Sequence, residues 1–142
     1  MIVASPTAFQ LIKKFEGLRL KAYYCSAGKA TIGYGHTHNV KLGQVITEEQ
    51  ADEFLKTDVE LVVNDLNALI KVSLNQNQAD ALISFVYNIG VGAFGASSML
   101  KKINQNKLDE VPAQFLKWVY IKGKISKGLI NRRKEEANLF LK

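Results

Sequence analysis

Residues 15–36 of the chain read FEGLRLKAYYCSAGKATIGYGH. The segment carries a carboxyl at Glu16, a thiol at Cys25 nine residues later, and a hydroxyl at Thr31 six residues after that. A helix is indicated just before it, because Ser5 is a typical N-cap and Pro6 suits a first helical turn. We therefore expect Glu16 to lie at the C-terminal end of a short helix.

The residues that follow Glu16 change in character. Four glycines within 18–46 separate short runs that contain Tyr, Thr, Val and Ile. Such punctuation is typical of short strands joined by tight turns. The sequence therefore predicts a small antiparallel sheet in this stretch.

The rest of the chain has helical patterns. Thr47 and Gln50 form a capping box before a long apolar stripe, and Asn75 caps a second helix that ends at Gly90. Shorter helices are expected at roughly 97–105, 108–119 and 129–141. The pattern predicts an α+β, mainly α-helical fold in one domain, 1–142. In that fold a long helix joins a sheet-bearing lobe, roughly 13–46, to a helical lobe, roughly 71–142.

Length and composition fit a soluble domain with its own core. The chain has 142 residues, of which 47% are hydrophobic, and its single cysteine cannot form an internal disulfide. We find no basic start followed by an apolar run, and no stretch of ~18 to 20 apolar residues. We therefore expect synthesis in the cytoplasm and no stable membrane insertion.

The net charge is +6, so the surface should favour anionic partners. DNA, anionic lipid and peptidoglycan are all candidates by charge alone. The basic residues are spread along the chain, and only Arg132-Arg133-Lys134 are three in a row. A solubilising surface and electrostatic targeting both remain open.

The three chemical groups of the opening segment each have two interpretations. Glu16 is either a solvated or ion-paired carboxylate, or a general acid kept protonated by apolar neighbours. Thr31 is either a cross-strand neighbour in a sheet or a group that orients water. Cys25 is either a small buried hydrophobe or a reactive thiol whose pKa is lowered by Lys21 and Lys29.

His36 and His38 are the only histidines, and no cysteine or carboxylate stands at a metal-ligand spacing from them. His36 is better interpreted as a structural hydrogen-bond or ion-pair partner. We expect no metal and no organic cofactor.

Glu16-Gly17-Leu18-Arg19-Leu20-Lys21 followed by Thr31-Ile32-Gly33-Tyr34-Gly35-His36 resembles the active-site signature of phage-type lysozymes, glycoside hydrolase family 24. The resemblance runs from about residue 5 to 141 and includes the stretches 81–94, 97–98 and 128–136, together with Trp118. In one departure, Cys25 stands where the family usually has an aspartate.

The resemblance implies a lysozyme-like fold and cleavage of the β-1,4 bond between N-acetylmuramic acid and N-acetylglucosamine. It implies that Glu16 is the acid, Cys25 the base or nucleophile, and Thr31 the group that orients water. It also implies substrate contacts from four residues, of which Arg132 can face the catalytic Glu: Thr37, Tyr87, Ser98 and Arg132.

The biological role that the resemblance implies is that of an endolysin, a monomer whose partner is the peptidoglycan polysaccharide. It would be made in the host cytoplasm and would reach the periplasm by holin-type release. Two rival hypotheses belong to other classes. One is a peptidoglycan-binding pseudoenzyme, suggested by Cys25 in place of aspartate. The other is a basic, helical nucleic-acid-binding domain, which only charge and a generic helix-turn-helix spacing support. We expect no nucleic-acid partner.

Overall fold

A computed structural model describes residues 1–142. Helix α1 (Pro6–Glu16) precedes strands β1 (Arg19–Tyr24) and β2 (Ala30–Gly33), and a loop then leads to helix α2 (Glu48–Leu69). The second half contains helix α3 (Gln76–Ile89), helix α4 (Val91–Gly95), helix α5 (Ser98–Asn104), a 3-10 turn (Leu108–Glu110), helix α6 (Val111–Phe115), strands β3 (Tyr120–Ile121) and β4 (Lys124–Ile125), and helix α7 (Lys127–Leu141).

Helix α1 is fixed at both ends by local chemistry. The Ser5 side chain accepts from the Thr7 N–H, and Pro6 occupies the first turn. Gly17 ends the helix with a φ of 71°, a value that favours glycine. The Ser5 N–H also donates to Asp80 Oδ1 at 3.0 Å, which ties the start of α1 to α3. As predicted, Glu16 is the last helical residue.

Strands β1 and β2 form a two-stranded antiparallel sheet in which Tyr23 lies opposite Thr31. The register is irregular between Arg19 and Tyr23. The sheet is shorter than the predicted stretch, because the chain beyond β2 returns mostly as loop. Two isolated bridges add to it, one between Lys21 and Val45 and one between Ile32 and His36.

Helix α2 begins with the predicted capping box. The Thr47 N–H donates to Gln50 Oε1 at 2.9 Å, and the Gln50 N–H donates to Thr47 Oγ1 at 3.1 Å. The helix runs for 22 residues and buries one stripe, while its other faces are largely exposed. The buried side chains are Ala51, Leu55, Val59 and Leu66. This helix joins the sheet to the helical part of the molecule.

Helix α3 is the central helix. A single apolar stripe was expected, but every residue from Ala79 to Val86 is buried, including polar Asp80 and Ser84. A helix that is buried all round must be covered by neighbours on every side. Helices α1, α2 and α7 pack against it, with α7 making the largest contact. The α+β, mainly helical fold is confirmed.

The predicted helix at 108–119 is wrong in its last four residues, 116–119. Helix α6 ends at Phe115, and the chain then forms the β3–β4 hairpin. The hairpin turn places Lys122 at a φ of 50° and Gly123 at 79°, the backbone that a two-residue β-turn requires. Helix α7 then starts at Lys127 rather than 129, because the Ser126 side chain caps it by accepting from the Leu129 N–H.

Candidate active site

The Glu16 carboxylate has two oxygens in different surroundings. Oε2 accepts from Arg132 NH1 at 2.6 Å, and the side chain is 19% exposed. Oε1 has no donor from the protein and lies beside Gly35, where an added Cβ would sit only 2.7 Å away. Gly35 also has a φ of 81°. The site thus fixes one oxygen by an ion pair and leaves space around the other, because residue 35 has no side chain.

Arg132 is buried, and each of its three guanidinium nitrogens donates a hydrogen bond. NH1 donates to Glu16, NH2 donates to the Ser84 carbonyl at 2.9 Å, and Nε donates to Glu136 Oε2 at 3.3 Å. Three fixed partners leave the planar group one orientation. Contacts within α7 and with α3 therefore orient the Arg132 guanidinium toward Glu16, at the end of α1.

Glu136 and Arg133 complete a buried charged network. Glu136 accepts from Arg133 NH1 at 2.6 Å and from the Ser84 hydroxyl at 2.6 Å. Arg133 also donates to the Trp118 carbonyl at 2.9 Å and to Asn88 Oδ1. Burial lowers the pKa of Arg133, and the Glu136 carboxylate opposes that effect.

With Glu16 and Arg132, the network holds two negative and two positive groups, so its charges balance. Sequence reasoning missed Ser84, Arg133 and Glu136. It treated Arg132-Arg133-Lys134 as a basic run, but Arg132 and Arg133 are buried. The available signal was Glu136, which stands at helical spacings of four and three residues from these two arginines.

Cys25 follows β1 in a tight turn. Its N–H donates to the Lys29 carbonyl at 3.0 Å, and the Gly28 N–H donates to the Cys25 carbonyl at 2.9 Å. The thiol is partly exposed. The Lys29 N–H, the Thr31 hydroxyl and the Ala27 N–H lower the pKa of this thiol. A lowered thiol pKa was expected, but its cause is hydrogen bonding rather than the charges of Lys21 and Lys29.

Thr31 is buried in β2, opposite Tyr23. Its single hydroxyl proton can be donated either to the Lys29 carbonyl, 2.9 Å away, or to the Cys25 thiolate. Thr31 is thus a cross-strand neighbour that also touches the Cys25 turn. Burial raises the pKa of the Tyr23 phenol, and the negative charges of Glu16 and Cys25 add to this effect. Tyr23 thus pairs with Thr31 across the sheet and is close enough to Glu16 and Cys25 to feel their charges.

Thr37 and Tyr87 line a groove next to Glu16. Its volume is about 300 Å³, and Gly35 and Asp58 also line it. Thr37 is exposed there. The Tyr87 hydroxyl donates to the Tyr34 carbonyl at 2.5 Å, and burial raises the pKa of this phenol. Tyr87 therefore joins α3 to the segment after β2, as well as lining the groove.

Ser98 lies apart from the other predicted contacts. It is exposed at the start of α5, and its hydroxyl donates to Gln114 Oε1 at 2.9 Å. It has no hydrogen bond to Glu16, Thr37 or Tyr87. The structure thus places Thr37 and Tyr87 in one groove, whose lining residue Gly35 lies beside Glu16 and its partner Arg132, and it leaves Ser98 on a neighbouring helix.

His36 has the structural role that was expected. Its Nδ1 lies 2.7 Å from Asp58 Oδ2, and its ring stacks on Phe54 with centroids 4.2 Å apart. No group of three or more His, Cys, Asp or Glu side chains is arranged to hold a metal ion. No helix combines the length and the apolar character needed to cross a membrane.

A carboxyl that an ion pair holds at a helix end, next to an open groove, is compatible with acid catalysis on a bound polymer. The chain belongs to the phage lysozyme family, whose sequence model matches residues 13–136. The fold class and the enzyme class predicted from the sequence are thereby confirmed.

The chain is also similar, in sequence or in structure, to individual endolysins, lysozymes and muramidases. An endolysin of Acyrthosiphon pisum secondary endosymbiont phage 1 is 52% identical over 134 residues, which are 92% of each chain. The muramidase domain of SpmX from Asticaccaulis excentricus has a TM-score of 0.92 at 38% identity, covering 100% of this chain and 99% of that one. A mutant of P22 lysozyme has a TM-score of 0.85 at 37% identity and covers both chains completely.

Proposed function

We propose that the chain hydrolyses the β-1,4 bond between N-acetylmuramic acid and N-acetylglucosamine, with Glu16 as the general acid. The observation that carries this assignment is the asymmetry of the Glu16 carboxylate. A guanidinium can only donate hydrogen bonds, so Oε2 stays an acceptor and an added proton belongs on Oε1. Oε1 is the oxygen that the absent side chain of Gly35 leaves accessible. It would donate that proton to the leaving sugar oxygen.

Cys25 is proposed as the second catalytic group. As a base, its thiolate would take a proton from a water that attacks the anomeric carbon. As a nucleophile, it would bond to that carbon, and a water activated by the Glu16 carboxylate would then release the sugar. The lowered pKa of the thiol supports both versions, because both need the thiolate. Thr31 is proposed to orient the water.

Thr37, Tyr87, Ser98 and Arg132 are proposed as substrate-side residues. Thr37 and Tyr87 are supported by the groove that they line, and Arg132 by its ion pair with Glu16. Ser98 has the weakest structural support of the four, since its hydroxyl already donates a hydrogen bond to Gln114. Its contact would be to a more distant part of the polymer.

The cellular role that we propose is that of a monomeric endolysin, made in the host cytoplasm and released to the periplasm by a holin-type lesion. The endolysin relatives support it. The test is expression in a Gram-negative host with and without an added membrane lesion. Lysis should follow only when the lesion is present, and lysis without it would contradict this route. Light scattering on the purified protein tests the monomer.

The reaction is tested by mass spectrometry of peptidoglycan digested in heavy-oxygen water. Hydrolysis predicts reducing-end muramic acid that carries the heavy oxygen. An anhydro product would instead show a lytic transglycosylase, and the absence of new ends would show a pseudoenzyme. Glu16→Gln is the matched control, because it keeps the shape and removes the transferable proton. Folded Glu16→Gln protein should lose ~10² to 10⁴ in rate.

A further inference from the structure

The β3–β4 hairpin projects from the protein with little of its surface buried. Tyr120 pairs with Ile125 and Ile121 pairs with Lys124, and all four residues are exposed. The base of the hairpin is anchored, because the Ser126 N–H donates to the Val119 carbonyl at 2.8 Å and Val119 is buried. A two-stranded hairpin is marginal alone, so this one is held at its base and free at its tip.

The hairpin and its flanks carry uncompensated positive charge. No acidic residue occurs between Glu110 and Glu135. Five exposed lysines lie in this stretch, and none of them forms an ion pair: Lys117, Lys122, Lys124, Lys127 and Lys134. Elsewhere, Lys13, Lys14 and Lys102 are paired with carboxylates. The local field is therefore positive and unopposed.

Large apolar side chains are exposed among these lysines. Ile125 is 63% exposed, Tyr120 58%, Leu116 47% and Ile121 41%. We call the exposed apolar and lysine side chains of residues 116–127 the lysine hairpin surface. A soluble polyanion would satisfy the lysines and leave these apolar groups in water. A bilayer interface takes both kinds of group, since lysines meet anionic headgroups and apolar side chains enter the acyl boundary.

We propose that the lysine hairpin surface docks on bilayers that contain anionic phospholipid. Each strand has two residues and is thus about 7 Å long, far less than the ~30 Å of a hydrocarbon core. The contact is therefore peripheral, with the Tyr120 ring at headgroup depth and the isoleucines just below it. None of these side chains forms a hydrogen bond or an ion pair with Glu16, Cys25 or Thr31, so we expect docking to be separable from catalysis.

The test is cosedimentation of the full chain with vesicles of phosphatidylethanolamine and phosphatidylglycerol, compared with vesicles of phosphatidylcholine alone. Wild-type protein should bind the anionic vesicles and not the zwitterionic ones, and added salt should weaken the binding. Fluorescence of Trp118, the only tryptophan, gives a second readout because it lies at the base of the hairpin. No binding to either vesicle would overturn the proposal.

Matched charge variants separate local from overall charge. The triple change Lys122→Asn, Lys124→Gln and Lys127→Gln lowers the net charge from +6 to +3. The control removes three exposed lysines elsewhere, Lys41→Gln, Lys56→Gln and Lys101→Gln, and also gives +3. The hairpin variant should lose at least about tenfold in vesicle partitioning. The control should stay within about twofold, and equal loss in both would overturn the proposal.

A variant with less apolar surface tests whether the isoleucines contribute to binding. Ile121→Thr with Ile125→Thr keeps β-branched residues in the strands and removes apolar surface. It should also lose at least about tenfold in partitioning. Full binding by this variant would mean a purely ionic contact with the headgroups and would overturn the proposed insertion of the isoleucines. Turnover of short uncharged chitooligosaccharides should not change in either hairpin variant. Reduced turnover with unchanged vesicle binding would make the surface a substrate site instead.

Discussion

Arg132 NH1 lies 2.6 Å from Glu16 Oε2, although the two residues are 116 positions apart in the chain. The ion pair joins the end of α1 to the middle of α7, across the buried helix α3. Because Ser84 and Glu136 hold the other nitrogens of Arg132, the position of the Glu16 carboxylate depends on packing in the helical core. The helical core therefore holds Oε2 of the proposed catalytic acid through Arg132, while Oε1 faces the space that Gly35 leaves free.

The buried network should contribute strongly to stability. Glu136→Gln would leave two buried arginines with only Glu16 to balance them. We expect it to lower the free energy of unfolding by about 3 kcal/mol, measured by urea denaturation. Its neighbour Glu135 supplies the control, because Glu135 forms an exposed pair with Lys14. Glu135→Gln should cost less than about 1 kcal/mol. Similar losses in the two variants would contradict the assigned network.

Gly35 should be required for activity as well as for the backbone. Gly35→Ala places a Cβ 2.7 Å from Glu16 Oε1. Gly43 is the control, since its φ of 91° is equally unusual and no atom lies within 4 Å of an added Cβ. Both alanine variants should lose about 1 kcal/mol of stability from backbone strain. Only Gly35→Ala should lose about 10² in turnover, because only it displaces the carboxylate. Equal turnover would count against the role of Oε1.

The reactivity of the Cys25 thiol should depend on pH in a particular direction. Its pKa is lowered, so the thiolate forms at lower pH than in an ordinary cysteine. The rate of alkylation by iodoacetamide should rise and level off at lower pH than for N-acetylcysteine. Thr31→Val removes one of the groups responsible and should move the curve to higher pH. A wild-type curve that matches the free amino acid would refute the assigned environment.

The positive charge should matter on the intact wall. Between ~0.01 and ~0.15 M salt the Debye length falls from ~30 to ~8 Å. Activity on whole sacculi should fall over this range, because attraction of the +6 chain to the anionic polymer is screened. Uncharged chitooligosaccharides provide the comparison and should show much less change. Equal salt sensitivity on both substrates would rule out long-range attraction as the cause.

Local signals made much of the fold predictable. The N-caps at Ser5 and Asn75, the capping box at Thr47, and the glycines at helix ends gave element boundaries close to those observed. The β3–β4 hairpin was missed, because its turn depends on Lys122 adopting a positive φ, which Lys rarely does. The full burial of α3 depends on neighbours that helical periodicity does not reveal.

The candidate site was predictable only where its residues lie close together in sequence. Glu16, Cys25 and Thr31 lie within sixteen residues. Arg132 was indicated by resemblance alone. Ser84 was missed because its contacts require α3 and α7 to pack together, whereas Glu136 had a local signal in its helical spacing from Arg132 and Arg133. The proximity of Gly35 to Glu16 Oε1 likewise requires the folded loop after β2. Sequence spacing thus identified the reactive groups, and tertiary packing supplied the groups that position them.

The most direct test of the central claim is the lytic activity of two Cys25 variants on permeabilised Gram-negative cells. If Cys25 is catalytic, folded Cys25→Ser protein should be nearly inactive, because serine gives no accessible anion at neutral pH. Cys25→Asp should keep substantial lysis, because aspartate supplies an anionic base at the same position. Folded Cys25→Ser protein with wild-type lysis would contradict the account and would leave Glu16 and Thr31 to act with some other group.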